Sequence, residues 1–342
     1  MWSFETASVI SASHVRKGTI NQDRVGSIRG DGVASPLVVA AADGHGSAAY
    51  FRSHVGAEFA VAAACMALAD ACKSEDFPTW GRMSENQRWR IEDRIARRIV
   101  AEWTQRVRAH IDEYPATESE QPLTLNAYGC TLLAAVLYKG QICALQIGDG
   151  DILFCAVDGA AQRLIAADTS LIANETHSLC LKNAAQYFRF GYAENRPETA
   201  TLLLLCTDGY TNSFASDAGF MRALGDIHAL LPTIRRDSLA GMLKEWAQTS
   251  TDSGSGDDVS IILAFDEPVY FRKVPPPPVV DEPVSHGCIA ACLAWIMVLT
   301  KDSRLLLANL FRSQTQANQA AHQQKNQMRE DTGDTNAAPP TP

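Results

Sequence analysis

Two apolar runs of this chain end in the dipeptide Asp-Gly, and two further acidic clusters adjoin other strand-like runs. Short apolar runs bounded by turn residues are typical of buried strands, so these acids stand where strands leave the core. Carboxylates that converge at one end of a sheet repel one another strongly unless cations bind among them. The acids concerned are Asp43, Asp208, Asp149 with Asp151, and Asp257 with Asp258.

Each acidic site has a simpler interpretation, a hairpin turn in which glycine supplies a positive φ and aspartate tolerates one. The full set favours a cation site, because carboxylates without His or Cys partners suit Mg²⁺ or Mn²⁺. After Asp43, two glycines flank His45, so backbone carbonyls are accessible and an imidazole is held beside a carboxylate. Histidine exchanges protons near neutral pH, which makes His45 a candidate acid or base.

Taken in order, six short motifs resemble those of the metal-dependent protein phosphatases of the 2C type, in their bacterial branch. The resemblance covers residues 3 to 266 and implies a four-layer α-β-β-α sandwich, with two antiparallel sheets flanked by helix pairs. Periodicity alone predicts only an α+β fold. The motifs are Asn21-Gln22-Asp23, Asp43-Gly44-His45-Gly46, Gly129-Cys130-Thr131, Gly148-Asp149-Gly150, Thr207-Asp208-Gly209 and Gly256-Asp257-Asp258-Val259-Ser260.

The resemblance implies a site for two Mg²⁺ or Mn²⁺ ions, with Asp149 at the position of a third, weaker ion. A metal-bound water would attack the phosphorus in line, and His45 would protonate the leaving serine or threonine oxygen. For Asp149 a hairpin turn stays open as the alternative. The implied ligands are Asp43 bridging both ions, the Gly44 carbonyl on one, Asp208 and Asp257 on the other, and Asp23 acting mainly through water.

Phosphate binding is where this chain departs from the family pattern. Many members place an arginine five residues before the first-motif aspartate, and here that position is Gly18. His14, Arg16 and Lys17 are candidates for the missing positive charge, each with a solvated surface residue as the alternative. Asp258 stands where asparagine is common, which leaves the direct ligands unchanged.

Composition agrees with this interpretation. The chain has 342 residues, 46% of them hydrophobic, which is enough for a substantial core. A net charge of −9 argues against a nucleic-acid partner, which would require a basic face. Nine scattered cysteines without a recognisable signal peptide predict reduced, buried thiols in a cytoplasmic protein.

The apolar pattern predicts a strand-first order of elements. Residues 168–200 are predicted to be irregular, and the resemblance places them in the region where the family keeps a variable segment near its cleft. The predicted elements are strands over 4–14 and 22–29, a strand ending at Asp43, helices over 47–72 and 84–113, an antiparallel meander over 129–167, a strand over 201–207, two helices over 216–249 and a closing strand from Asp257.

Composition changes after Phe271, which divides the chain into four predicted segments. Residues 1–271 form the catalytic domain, and residues 272–285 form a Pro-rich linker. An apolar or amphipathic helix is predicted over 286–312. Its apolar run over 288–299 is too short to span a bilayer unaided, and docking of the helix on a protein partner is favoured over a membrane surface. Residues 313–342 are predicted to be disordered.

Two functions from different classes follow. The first is an Mg²⁺- or Mn²⁺-dependent phosphatase that acts on phosphoserine and phosphothreonine in proteins and opposes a bacterial Ser/Thr kinase. The alternative is a catalytically silent phosphatase-like module that binds phosphoproteins or regulates such a kinase. Retention of every implied metal carboxylate favours the enzyme.

Overall fold

The computed structural model describes residues 1–30, 32, 35–117, 123–167, 176–194 and 200–271. Within this part the strands form two five-stranded antiparallel sheets, which confirms the predicted α+β fold. The strands are β1 (Trp2–Val9), β2 (Arg24–Arg29), β3 (Leu37–Ala42), β4 (Leu132–Tyr138), β5 (Gln141–Ile147), β6 (Asp151–Cys155), β7 (Ala161–Arg163), β8 (Arg189–Glu194), β9 (Leu202–Cys206) and β10 (Val259–Asp266).

One sheet, here the first sheet, has the order β1-β10-β9-β6-β7, and the second sheet has the order β2-β3-β4-β5-β8. All residues of β3, β5 and β9 are buried, as expected for central strands covered on both faces. In the first sheet, Leu204 of β9 lies opposite Leu263 of β10. In the second sheet, Val39 of β3 lies opposite Ala135 of β4.

Helices cover the outer face of each sheet. Helices α2 and α3 pack on the second sheet, and α5 and α6 pack on the first, which completes the four layers. At the start of α3 the Gln87 side-chain oxygen accepts hydrogen bonds from the Ser84 backbone N–H at 3.2 Å and from the Ser84 hydroxyl at 2.8 Å, in a sequence with capping-box spacing. The helices are α1 (Ala12–Lys17), α2 (Ser53–Ala71), α3 (Glu85–Glu113), α4 (Asp208–Thr211), α5 (Asp217–Leu230), α6 (Leu239–Ser250) and α7 (Glu267–Tyr270).

An apolar interior fills the space between the two sheets. Val39 and Leu133 of the second sheet meet Leu203 and Ile262 of the first in one cluster of fully buried side chains. Burial of each such side chain contributes about 1.5–3 kcal/mol to folding. This interior, here called the inter-sheet core, holds the strand ends at fixed positions.

Three predicted elements are corrected by the structure. The strand predicted over 4–14 ends at Val9, and α1 follows, because Ser11 caps a helix that six residues are too few to reveal by periodicity. The meander predicted over 129–167 is divided, since β4 and β5 belong to the second sheet and β6 and β7 to the first. Residues 189–194, predicted as irregular, form edge strand β8 on β5.

The helix predicted over 84–113 is confirmed as α3, and the helix predicted over 47–72 consists of a short 3₁₀ turn followed by α2. Among the described helices, α2 is long and apolar enough to cross a membrane, but half of that stretch is buried where it packs on the second sheet. Such burial is typical of a core helix. The predicted linker, tail helix and disordered segment over 272–342 lie outside the described residues.

Candidate functional site

A cleft of about 670 Å³ lies where the ends of the two sheets meet. Strand β3 ends beside Asp43, β9 ends before Asp208, and β10 begins after Asp257, so the same edge of the sandwich carries all three acids. The residues predicted from sequence that line this cleft are His14, Asp43, Gly44, His45, Asp149, Asp208 and Asp257.

Asp23 lies beneath this group and is 1% exposed. Its Oδ2 accepts a hydrogen bond of 2.8 Å from the Thr207 hydroxyl, which in turn accepts one of 3.0 Å from the backbone N–H of Ser260. Its other oxygen, Oδ1, is buried and has no hydrogen-bond partner among the described residues. A buried, unpaired carboxylate oxygen is costly unless a cation or an ordered water satisfies it.

Burial and repulsion between neighbouring carboxylates together raise the pKa values of Asp23, Asp43 and Asp208. Burial raises the pKa of Asp43 well above its ordinary value, and the charges of Asp23, Asp208 and Asp257 raise it further. Burial also raises the pKa of Asp208 to about 6, with added repulsion from Asp149 and Asp257. Burial likewise raises the pKa of Asp23 to about 7. The five acids therefore form one electrostatic cluster, which a divalent cation would relieve.

This donor set fits a hard divalent metal. Every predicted ligand is a carboxylate or carbonyl oxygen, as Mg²⁺ and Mn²⁺ prefer. The unpaired Asp23 Oδ1 is a further acceptor held ready in the same cluster. The residues present are thus suited to the metal pair that the sequence predicts.

Close packing shapes the backbone after β3. A Cβ on Gly44 would lie 2.8 Å from the backbone carbon of Ser53 and 2.9 Å from the carbonyl oxygen of Gln22. Only glycine fits that space. Two backbone interactions hold this segment at the mouth of the cleft. Gly44 forms an isolated antiparallel β-bridge with Cys130, and the His45 N–H donates to the Gly129 carbonyl at 3.1 Å.

His45 stands inside the cleft with its ring edge-on to Tyr50, at 4.7 Å between ring centroids. Burial lowers the pKa of His45, and the negative charge of Asp149 opposes that decrease. The imidazole therefore lines the same cleft as Asp43, Asp149 and Asp208, which keeps it a candidate for proton transfer there.

Of the three residues predicted to contact phosphate, only His14 lines the cleft. Its Nδ1 lies 2.8 Å from Oδ1 of Asp258. The Asp258 carboxylate is buried and also accepts two backbone N–H groups at 2.8 Å each, that of Ser11 on Oδ1 and that of Gln22 on Oδ2. Arg16 and Lys17 are exposed on the same helix and are not among the cleft-lining residues.

The hairpin interpretation of the acidic sites is wrong at the positions that the structure describes. Gly148–Gly150 carries the chain from β5 in one sheet to β6 in the other, with Asp149 exposed at the cleft. Asp151 lies away from the cluster and pairs with Arg163 at 2.7 Å. Asp208 begins α4, and Asp43 leads away from β3 towards α2.

Sequence reasoning did not identify the hydroxyls that organise this site. Thr207 binds Asp23, and the Thr131 hydroxyl accepts the Asp43 N–H at 3.2 Å. Both threonines belong to the motifs named above and lie directly beside a strand end. That position was the sequence signal from which their contact with the acids could have been predicted. Nothing local pointed to the pairing of His14 with Asp258, because 244 residues separate them.

Comparison with known proteins gives one family and one fold. The family model described as Protein phosphatase 2C matches residues 10–246. The structure of the S. agalactiae serine/threonine phosphatase aligns at 16% identity and a TM-score of 0.50, covering 78% of this chain and 99% of that one. A bacterial serine phosphatase aligns at 15% identity and a TM-score of 0.50, covering 78% and 98%.

A C. elegans sex determining protein aligns at 14% identity and a TM-score of 0.51, covering 77% of this chain and 64% of that one. No sequence among the curated proteins matches this chain. At these identities the structural matches show a shared fold.

Proposed function

The chain belongs to the protein phosphatase 2C family, and we propose that it is a divalent-metal-dependent phosphatase of phosphoserine and phosphothreonine in proteins. The observation that carries this proposal is the convergence of Asp43, Asp208 and Asp257 on one cleft, with Asp23 buried beneath them and one of its oxygens left unpaired. A structural role does not account for a cluster of acids in which burial, with repulsion from neighbouring carboxylates, raises the pKa values of Asp23, Asp43 and Asp208.

Each residue of the cleft has a distinct part in this proposal. Asp23, Asp43, Asp208 and Asp257, with the Gly44 carbonyl, would hold two Mg²⁺ or Mn²⁺ ions, and Asp149 would contribute to a third. Ions bound there supply an activated water nucleophile and neutralise charge on the transferring phosphoryl group. His45 gives its proton to the serine or threonine oxygen that leaves. The rigid ends of β3, β9 and β10 fix these groups relative to one another.

The silent-module alternative receives no support from the site. A binding module needs a phosphate-recognising surface but has no chemical reason to keep an unpaired, buried carboxylate that destabilises the fold. The opposing kinase, the docking of residues 286–312 on a partner and the cytoplasmic location stay predictions from the sequence.

A direct test measures hydrolysis of an aryl phosphate and a phosphothreonine peptide by the full chain with Mn²⁺, Mg²⁺ or a chelator. Asp43→Asn should lower kcat by about 10³-fold on both substrates, because charge neutralisation by the metals contributes several kcal/mol and each 1.4 kcal/mol is tenfold. Asp112→Asn is the matched control, since Asp112 is an exposed aspartate on α3 outside the cleft.

Metal-independent turnover, or a folded wild-type protein without turnover on either substrate, would contradict the proposal. In the second case, capture of phosphopeptides by the full chain would revive the binding-module alternative.

A further inference from the structure

Asp149 differs from the other acids of the cleft in how its position is set. Asp43 directly follows strand β3, and Asp208 is the first residue of helix α4. Asp149 lies instead on the crossover Gly148–Gly150 between the two sheets and is exposed. Its carboxylate has no hydrogen-bond or ion-pair partner among the residues that the structure describes. Whatever holds the backbone of the crossover therefore also determines where this carboxylate lies in the cleft.

One buried amide holds this crossover on both sides of Asp149. The Gln146 side chain, which is 3% exposed, donates from Nε2 to the Gly148 carbonyl at 3.1 Å and also to the Gly150 carbonyl. A side-chain amide nitrogen has two N–H donors, so these two bonds use both of them. Arg189, opposite Gln146 on edge strand β8, donates to the same Gly148 carbonyl at 2.9 Å. Both glycines that flank Asp149 are thus bonded to one side chain of β5.

The place of Gln146 in the sheet argues against a packing role. Along β5 the side chains of Ile142 and Ala144 belong to the inter-sheet core, and Gln146 continues the same alternation. Burying an amide on an apolar face costs free energy unless its polar atoms are hydrogen-bonded, so an apolar side chain would fill the core at lower cost. The bonds to the two glycine carbonyls satisfy the donors of this amide, which matches a role in shaping the crossover.

The far end of the crossover is fixed independently of Gln146. Asp151, the first residue of β6, accepts a hydrogen bond of 2.7 Å from Arg163 on Oδ1 and one of 3.1 Å from the Thr211 hydroxyl on Oδ2. Thr211 is the last residue of α4 and therefore ties Asp151 to the first sheet's side of the cleft. The stretch left for Gln146 to hold is the short one that carries Asp149, which limits the effect of the amide to this acid.

We propose that Gln146 is a positioning residue, which keeps Asp149 in the cleft and thereby sets the affinity for the third, weaker ion. The inference rests on the proposed function, in which Asp149 contributes to that ion, and it assigns a role to a residue that does not itself line the cleft. The ligands proposed for the other two ions lie on other elements, so the affinity for those ions does not depend on this amide.

The test is a calorimetric titration of the chelator-treated full chain with Mn²⁺ alone. The wild type should show a tight phase and a weaker phase, and Asp149→Asn should abolish the weaker one, which identifies that phase with Asp149. Gln146→Met keeps the length of the side chain but lacks the N–H donors. It should raise the dissociation constant of the weaker phase by about 10- to 100-fold, the range for residues that orient metal ligands, and leave the tight phase unchanged.

Gln141→Met is the matched control. Gln141 is also buried on β5, but its amide donates to the Gly140 carbonyl at 3.0 Å, at the opposite end of the strand. This variant should leave both phases unchanged. Thermal unfolding in chelator checks that each variant is folded, and Gln146→Leu, which is apolar like the neighbouring core residues, repeats the measurement if the methionine variant is not.

Several results would overturn the inference. An unchanged weaker phase in folded Gln146→Met would show that the remaining contacts, such as that of Arg189, are enough to hold the crossover. Equal weakening of both phases would give Gln146 a structural role in the whole site. A wild type with a tight phase but no weaker one would overturn this inference and leave the proposed function standing, whereas a wild type that binds no Mn²⁺ would overturn both.

Discussion

The inter-sheet core and the cleft lie on the same strands but follow opposite rules. In the core, Leu203 and Ile262 are fully buried among apolar partners. Just beyond the end of β9, burial raises the pKa of Asp208 to about 6. Asp23 keeps a buried oxygen without a partner. Burial of the core thus offsets the unfavourable free energy of holding like charges close together in the cleft. The proposed catalysis requires these charges to stay close.

The largest effect expected in the cleft concerns His45. Replacement with alanine should lower kcat for a phosphoseryl peptide by about 10²–10⁴-fold, the usual contribution of a general acid. The same variant should hydrolyse an aryl phosphate at close to the wild-type rate, because a phenolate leaves without needing a proton. Parallel measurement of kcat on both substrates makes this comparison. A similar loss on the two substrates would assign His45 a structural role beside Tyr50.

In the core, the corresponding change is Leu203→Ala. Removing this fully buried side chain should lower the free energy of unfolding by about 2–5 kcal/mol, since lost burial and a cavity add together. KM and kcat should stay unchanged below the unfolding transition, because the strand ends keep their positions. Denaturant unfolding and steady-state kinetics on the same preparation measure both. Leu203→Ile is the volume-conserving control, and altered kinetics in the alanine variant alone would show that the core also tunes the cleft.

Sequence patterns predicted the core better than the cleft. Helix α3 was predictable because a capping box and a 3.6-residue apolar period are local signals. Strand β8 was not, because it pairs with β5, from which more than 40 residues separate it, and lies at a sheet edge. The division of the predicted meander between two sheets also depends on contacts distant in the chain.

Within the cleft, the acids were predictable because each follows or precedes an apolar strand. Their mutual distances and burial were not predictable from the residues alone, and the family resemblance supplied that step. The partnership of His14 with Asp258 joins the first helix to the last strand, so no local spacing reveals it. Gly18 was visible in the sequence only as a departure from the family pattern, and the structure shows that it ends α1 with a φ of 68°, at which any other side chain would be strained.

Repulsion in the cleft should appear as a pH dependence of stability in the metal-free protein. Burial, with Asp149 and Asp257 nearby, raises the folded-state pKa of Asp208 from 3.8 to about 6. A carboxyl with a raised pKa stabilises the fold below its unfolded pKa, and that contribution is lost as pH rises through about 6. At 1.4 kcal/mol per pKa unit, the loss is on the order of 3 kcal/mol by pH 8.

Asp208→Asn should therefore be more stable than the wild type at pH 8 in chelator, and the two should become equal by about pH 4. With Mn²⁺ the order should reverse, because only the wild type retains the full ligand set. Thermal unfolding at several pH values, with and without metal, measures both differences. A metal-free wild type that is the more stable of the two at pH 8 would show that the acids are not in repulsion.

The smallest effect concerns Thr207, the residue that joins the two regions. Its hydroxyl donates to Asp23 in the cleft and accepts the Ser260 N–H of β10 at the edge of the core. Thr207→Val keeps the shape but leaves the buried Ser260 N–H unsatisfied, which should cost about 1–3 kcal/mol of stability. Loss of the hydrogen bond that orients Asp23 should also weaken Mn²⁺ binding by about 10-fold or more.

Thr207→Ser retains the hydroxyl and should preserve metal affinity, so calorimetric Mn²⁺ titration of the two variants separates the role of the hydroxyl from that of the methyl group. Equal Mn²⁺ affinity in both variants would mean that the core alone, without this hydrogen bond, positions Asp23.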